Sequence, residues 1–366
     1  MLELDLTTEL DRQLSVCNAC RYCEAFCAVF GAAQLRTAIG DGDVAYLANL
    51  CHDCRMCYDA CMFTPPHEFA INIPEAMAAA RVETYERYGR PAYLARMVRS
   101  PGSVALATVF AGVALVAAAI ASSSSAAALW TPQSGPGAFY RILPYAAMIV
   151  PALALAAFGA VCVAFGARHY ARDISGDNTA FVTASSLGTA LHEALALTYL
   201  KGGGAGCYDE HRKSGSRRFF HGLVFWGFLA DLAATTSAAF EQEFLHLLPP
   251  YPLWSVPVVL GTGGGIALAV GVAGLVAVKR RSDDRPTEPR MIALDYAFLG
   301  MLETVALTGL ALLAFRSTSA MGALLAIHLG AVAALFITAP YGKAVHFVYR
   351  FIALVKNAHE QRNIAG

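Results

Sequence analysis

CNACRYCEAFC at residues 17–27 and CHDCRMCYDAC at 51–61 place eight of the ten cysteines in two runs of one spacing, C-x2-C-x2-C-x3-C. That spacing holds cubane iron–sulfur clusters. Three thiolates three residues apart wrap a short stretch of chain around one cluster corner, and the fourth, four residues on, points away toward another cluster. In two-cluster ferredoxins the fourth cysteine of each run ligates the cluster of the other run. On that pattern one [4Fe-4S] cluster takes Cys17, Cys20, Cys23 and Cys61, and the second takes Cys51, Cys54, Cys57 and Cys27. Structural zinc also takes four thiolates. It usually pairs two C-x2-C units across a longer spacer, whereas here three cysteines crowd each turn. Ferredoxin runs usually carry proline after the fourth cysteine; Ala28 and Met62 stand there instead, with Pro65 and Pro66 later, which bears on the turn and not on ligation. Cys162 reads as a small core residue, and Cys207 has no assigned role.

Outward from these runs the composition changes. Of 366 residues 57% are hydrophobic and only 15% charged, against roughly a quarter charged in an ordinary soluble domain. Residues 1–100 have soluble character, and the long apolar runs come later. With 27 basic and 27 acidic residues and no charged tail, a nucleic-acid partner is not expected. The first twenty residues are acidic and lack a basic stretch followed by an apolar one, so no signal peptide is expected. The cysteine density then argues for metal rather than disulfides.

Six segments are apolar over about 18 residues or more: 104–129, 142–166, 219–240, 253–278, 292–315 and 321–340. Basic residues gather at one side of them. Arg87, Arg90, Arg96 and Arg99 precede the first span. Arg168, Arg172, Lys201, Arg212, Lys213, Arg217 and Arg218 lie in the loop 167–218, and Lys279, Arg280, Arg281, Arg285 and Arg290 follow the fourth span. Lys343, Arg350, Lys356 and Arg362 follow the sixth, leaving only Arg141 and Arg316 on the other side. Both termini are expected in the cytoplasm and the chain in the inner membrane. Residues 178–200 read as a helix lying on the membrane or under the bundle, broken by KGGGAG at 201–206. The glycines of GTGGG at 261–265, with Gly271 and Gly274, suggest close helix packing. The expected fold is mainly α: a ferredoxin-like two-cluster domain (1–101), a six-helix cytochrome b-type membrane bundle (102–356) and a short cytoplasmic tail (357–366).

Histidines supply a second constellation. His221 at the start of span three and His346 just past span six share one depth, and imidazoles from facing helices hold b-type haem in membrane bundles. Arg217, Arg218, Lys343 and Arg350 flank this level and could neutralise haem propionates. His328, inside span six, is 18 residues from His346, five turns if the helix continues. It is a possible ligand of a second haem, which lacks a partner on span three, where Asp231 and Glu241 stand. His192 is a reserve axial ligand. Asp231 and Glu303 could form a proton path or quinone site, or pair internally; Asp295 is near enough to a span end to be interfacial. Interfacial or core histidines remain the plain alternative.

PPHEFAINIP (65–74), HEALALTYLKGGGAGC (192–207), RRFFHGLVFWGF (217–228), PYPLWSVPVVLGTGGG (250–265) and HLGAVAALFITAPYGKAVHFVYR (328–350) join the cysteine runs in a wider pattern. It resembles the B proteins of tricarballylate and citrate utilisation over nearly the whole chain, from about residue 15 to 356. The resemblance implies a membrane iron–sulfur protein that reoxidises the FADH2 of a partner dehydrogenase, using two [4Fe-4S] clusters and haem b. That family has a cysteine where Asp231 stands and a histidine near Glu241, departures that weaken a case for an outer haem. The histidine pair 18 apart is also similar to that of the nitrate reductase cytochrome b subunit. A quinone acceptor is expected from the bundle and the lack of an outer donor. Such a chain would be an electron-transfer subunit in which the cofactors carry the chemistry. The rivals are a transporter with an iron–sulfur sensor domain, using Asp231 and Glu303 for ion coupling, and a disulfide reductase, for which no adjacent Cys-Cys pair is present.

Overall fold

Helix boundaries follow the punctuation of the apolar runs in a computed structural model that describes residues 5–175, 181–201, 207–209, 212–282 and 285–365. The N-terminal part consists of α1 (Leu6–Cys20), α2 (Ala28–Ala33), α3 (Asp41–Leu50), α4 (Met56–Asp59), α5 (Ile73–Tyr88) and α6 (Ala92–Ala95). Asn72 starts α5 by accepting a hydrogen bond from the Glu75 amide at 3.3 Å, with Pro74 in the first turn. Then come α7 (Pro101–Ser123), the short α8 (Ala138–Ile142), α9 (Tyr145–Ser175), α10 (Ala184–Leu195), α11 (Ser216–Leu245), α12 (Val256–Arg281), α13 (Pro289–Ala314), α14 (Met321–Thr338) and α15 (His346–Ala365). A small antiparallel hairpin, β1 (Cys207–Asp209) and β2 (Arg212–Ser214), precedes α11.

Six helices, α7, α9, α11, α12, α13 and α14 with the turn to Tyr341, are long and apolar enough to cross a membrane. They match the six expected spans, with shifted ends. The first closes at Ser123, with a separate 3-10 turn at Ala126–Leu129. The second continues to Ser175, so 167–175 is helix rather than loop, because Tyr170 and Ile174 are buried against the N-terminal part. The helix expected over 178–200 shrinks to α10, whose Leu187, Leu191 and Leu195 form an exposed stripe, the pattern of a helix lying at a membrane surface. Residues 178–180 and the 202–206 part of the glycine break lie outside the described residues.

The helix that carries His328 does not continue to His346. Pro340 lacks an amide hydrogen and its ring crowds the preceding turn; α14 ends at Thr338, two 3-10 turns follow, and α15 starts at His346. The two histidines therefore stand on separate helices. Among the glycines of α12, Gly264 and Gly271 serve packing and Gly263 does not: a Cβ at Gly271 would lie 2.8 Å from the Val224 amide nitrogen and 2.9 Å from the Phe220 carbonyl of α11, whereas one at Gly263 would meet nothing within 4 Å.

One hydrophobic core joins the two parts of the chain. It contains Leu10, Leu14, Tyr46, Leu47 and Met77 from the N-terminal helices, Tyr170 and Ile174 from α9, Met291 and Leu294 from α13, and Tyr349, Ala353 and Leu354 from α15. Tyr170 stacks on Tyr349 at 4.9 Å, and Tyr88 meets Tyr170 edge-on at 5.5 Å. Residues 357–365, expected as a tail, belong to α15: Asn357 is buried, and Glu360 pairs with Arg36 at 2.8 Å. The expected boundary at 356 falls inside a helix that the N-terminal part packs against.

Candidate metal centre

The two cysteine runs share one backbone feature, although the first begins at the end of α1 and the second in non-helical chain where Asp53 is also left-handed at φ 54°. Arg21 and Arg55, each directly after the second cysteine of its run, adopt left-handed conformations with φ of 57° and 63°. Such values are uncommon for a residue with a Cβ and mark sites where the chain must curl tightly. Amide hydrogens turn toward sulfur: Asp53 N–H donates to Cys51 Sγ and Phe63 N–H to Cys61 Sγ, both at 3.3 Å.

Cys17, Cys20, Cys23 and Cys61 line one pocket, about 400 Å³ including its open mouth, walled by Val16, Phe63 and Ile71. Burial, with the charges of Cys23, Cys61 and Cys20, pushes the Cys17 thiol up to about 12, and Cys23 likewise to about 12. Cys27 lies away from its own run: burial raises its thiol first, then the charges of Cys54 and Cys51. Cys57 is raised by burial and by Cys54, Cys51 and Cys27. The thiols thus crowd one another in two sets, each taking its fourth member from the other run. Four crowded sulfurs become thiolates together only around a cation. Among the described residues no three His, Cys, Asp or Glu side chains close around a single ion. A lone zinc needs sulfurs at about 2.3 Å from one point. The residues fit two iron–sulfur clusters, which these quartets would hold.

The sets differ in surroundings. The first faces outward: Cys20 is exposed, and Tyr22 and Met62 are 63% and 73% exposed beside it. The second is fastened to the bundle. Arg217 at the start of α11 donates to the Asp53 carbonyl at 2.8 Å, and Arg350 of α15 donates to the Leu50 carbonyl at 2.7 Å and to His52 Nε2. Arg81 of α5 donates to the Ala48 and Cys51 carbonyls at 2.7 and 2.5 Å.

His52, inside the second run, was not among the candidate residues from sequence. Its signal was a difference between the repeats: Asn18 stands at the matching position of the first run. The structure places it with the candidate haem pair. Burial lowers its imidazole, followed by the charges of Arg350 and His221, with His346 contributing. His346 is itself held down to about 3 by burial, with Lys343 and His221 next among the causes. His346 Nδ1–H donates to the Lys343 carbonyl at 2.7 Å, which leaves Nε2 with its lone pair, the tautomer an axial ligand needs. His221 Nδ1 is buried with no hydrogen-bond partner. These two imidazoles fit haem b and would be its axial ligands.

The other candidates lie apart. His328 pairs with Thr308 through Nδ1 at 3.0 Å, deeper in the bundle. His192 is exposed on α10. The basic residues expected to meet propionates have partners in the protein: Arg217 and Arg350 as above, Arg218 the Ala196 carbonyl at 3.3 Å, and Lys343 a carboxylate. That carboxylate is Asp295, not a lone interfacial group but the centre of a triad, 2.6 Å from Lys279 and 2.7 Å from Lys343. Asp231 sits over Gly264, and Glu303 Oε2 is buried without a hydrogen-bond partner; no hydrogen bond joins the two among the described residues.

A ferredoxin-like domain packed on six membrane-type helices defines the class of this protein. The family model described as "Citrate utilization protein B" matches residues 98–366, and that of its "Fer4-like domain" matches residues 10–87. Citrate utilization protein B of Escherichia coli is 44% identical over 361 residues, covering 97% of this chain and 92% of that protein. The chain belongs to the citrate utilization protein B family. No solved structure matches.

Proposed function

We propose that this protein is the membrane electron-transfer partner of a cytoplasmic FAD-dependent dehydrogenase that oxidises citrate, tricarballylate or a similar acid. The observation that carries the reading is the fastening of the second cysteine run: Arg217 and Arg350 hold its backbone where His52, His221 and His346 gather. Two [4Fe-4S] clusters and haem b supply one-electron steps, so that a reduced flavin loses two electrons and two protons and a quinone gains two of each. The first quartet, with Cys20 exposed, is the side open to a flavoprotein, and Tyr22 and Met62 offer it apolar contact. Arg81 and Arg350 set positive charge beside the second quartet, which favours its reduced form. His346, with its tautomer fixed by Lys343, and His221 supply imidazole from separate helices. The basic side of the spans supports placement in the inner membrane with both termini cytoplasmic. The relative's name and the family support a role in citrate utilisation.

The test is a dithionite-reduced minus oxidised optical spectrum of the purified protein, with iron, sulfide and pyridine-haem assays. An α-band near ~560 nm, with about eight non-haem irons per chain, is expected of a b-type haem and two cubanes. His221→Ala and His346→Ala should each abolish the band. Eight irons without haem would overturn the route into the membrane.

A further inference from the structure

A cleft of about 440 Å³, part of it open to the outside, lies where α7, α13 and the end of α14 meet. Pro101 and Ala105 of α7, Ala297 and Phe298 of α13, Thr338 and Lys343 are among its walls. It is at the level of the helix ends, on the side of the bundle that carries the cysteine domain. Nearby on α7, Leu106 and Phe110 are 61% and 66% exposed, so the cleft opens among helices of lipid-facing character.

Two of its walls touch His346. The Phe298 ring is 6.3 Å from the imidazole centroid, and the Lys343 carbonyl receives the His346 Nδ1 hydrogen bond. The polar groups in the walls are few. Among the described residues, two of the three ammonium protons of Lys343 have acceptors, Asp295 Oδ1 at 2.7 Å and Met291 Sδ at 3.3 Å. Thr338 Oγ1 donates to the Ala334 carbonyl at 2.8 Å and keeps lone pairs to accept with. Tyr341 also lines the cleft, and its hydroxyl donates to the Arg90 carbonyl at 2.9 Å; apolar walls with one placed cation and few hydroxyls are the make-up of a site for a flat, lipophilic ligand with carbonyl groups. A site reached from lipid and sharing walls with a candidate haem ligand suits a mobile electron carrier better than a structural lipid.

We propose that this cleft receives the ring of a lipid-soluble quinone, its face on Phe298 and one carbonyl accepting a hydrogen bond from Lys343 Nζ. The placement rests on the electron-transfer reading above and goes beyond it by naming the site. Asp295, clamped between Lys279 and Lys343, holds the ammonium at the wall. The quinone takes two electrons passed on from the dehydrogenase flavin and two protons from water, and leaves as the quinol.

The full-length holoprotein in lipid nanodiscs, photolabelled with an azidoquinone and mapped by peptide mass, tests this. Label is expected within 101–105, 294–298 and 338–344, displaced by unlabelled menaquinone analogue and not by excess phosphatidylglycerol. Ala105→Phe and Ala297→Phe fill the cleft from opposite walls. Each is expected to weaken quinone binding by about tenfold or more, with iron content and optical spectrum unchanged. Displacement by the phospholipid would make the cleft a lipid seat and overturn the proposal. So would label gathered around Asp231 or Glu303, or full affinity in both folded variants. Oxidation of the dithionite-reduced protein by quinone is followed separately. If that oxidation occurs while the label lies elsewhere, the acceptor stands and the cleft falls. If no quinone oxidises a protein whose cofactors are all present, the acceptor in the reading above falls as well.

Discussion

Arg350 is a guanidinium taken out of water to hold a loop. Burial, followed by the charge of Arg81, lowers its pKa to about 10, still well above neutrality, so it stays charged beside Cys51 and Cys27. A fixed positive charge near a cluster stabilises the added electron. Arg350→Met should therefore lower the potential of one of two clusters, read by EPR-monitored redox titration, and leave the other where it was. Arg350→Lys should restore part of the shift, because it keeps the charge but loses the fork that reaches both Leu50 and His52. Asp295 is the reverse case, one carboxylate between two lysines, 12% exposed. Asp295→Asn leaves Lys279 and Lys343 facing each other without an anion, a loss of about 3–5 kcal/mol. A marked fall in the thermal midpoint of the detergent-solubilised protein would show it.

Among the elements, the seam of α11 and α12 and the break after α14 decide most. At the seam Gly271 lets α12 approach the α11 backbone, and any side chain there must push the helices apart. Gly271→Leu should cost about 1–3 kcal/mol from overpacking. Gly263→Leu, where an added Cβ meets nothing within 4 Å, should leave the midpoint almost unchanged. Comparing the two variants by thermal unfolding separates seam packing from the loss of a helix glycine as such. At the break, Pro340 redirects the chain so that α15 runs back over the N-terminal helices instead of extending α14. Arg350 and Glu360 reach the cysteine domain only because of that turn.

Across the whole molecule, the cysteine domain and the bundle share a core, so the loss of one should be felt in the other. Glu360 joins Arg36, Lys356 and Tyr46 at that junction. Glu360→Ala removes the acceptor of largely buried charged groups and should cost about 1–3 kcal/mol. Its signature is faster proteolysis within residues 20–70 of the detergent-solubilised protein, with the spans still protected. Removing iron by chelation should act in the same place and more strongly. Without metal the crowded thiols lose the cation that would draw the two runs together.

Much of this was legible in the residues. The spacing of eight cysteines carried the chemistry of the N-terminal domain, because ligation of a cubane constrains neighbours in sequence. Six apolar runs carried the bundle, because a span is a property of local composition. Local pattern is silent on what depends on long-range packing. It could not show that helix 142–166 runs on to Ser175, since the reason is the contact of Tyr170 and Ile174 with a distant part of the chain. Nor could it show that the basic residues 217, 343 and 350 would be taken up by the protein's own carbonyls and carboxylates. The placement of His52 beside the histidines of the bundle is of the same kind. The sequence by itself determined the cysteine spacings, the apolar spans and the basic side. Only the tertiary structure decided which cysteine set abuts the bundle, because three arginines from different helices must converge on residues 48–53 to hold it there.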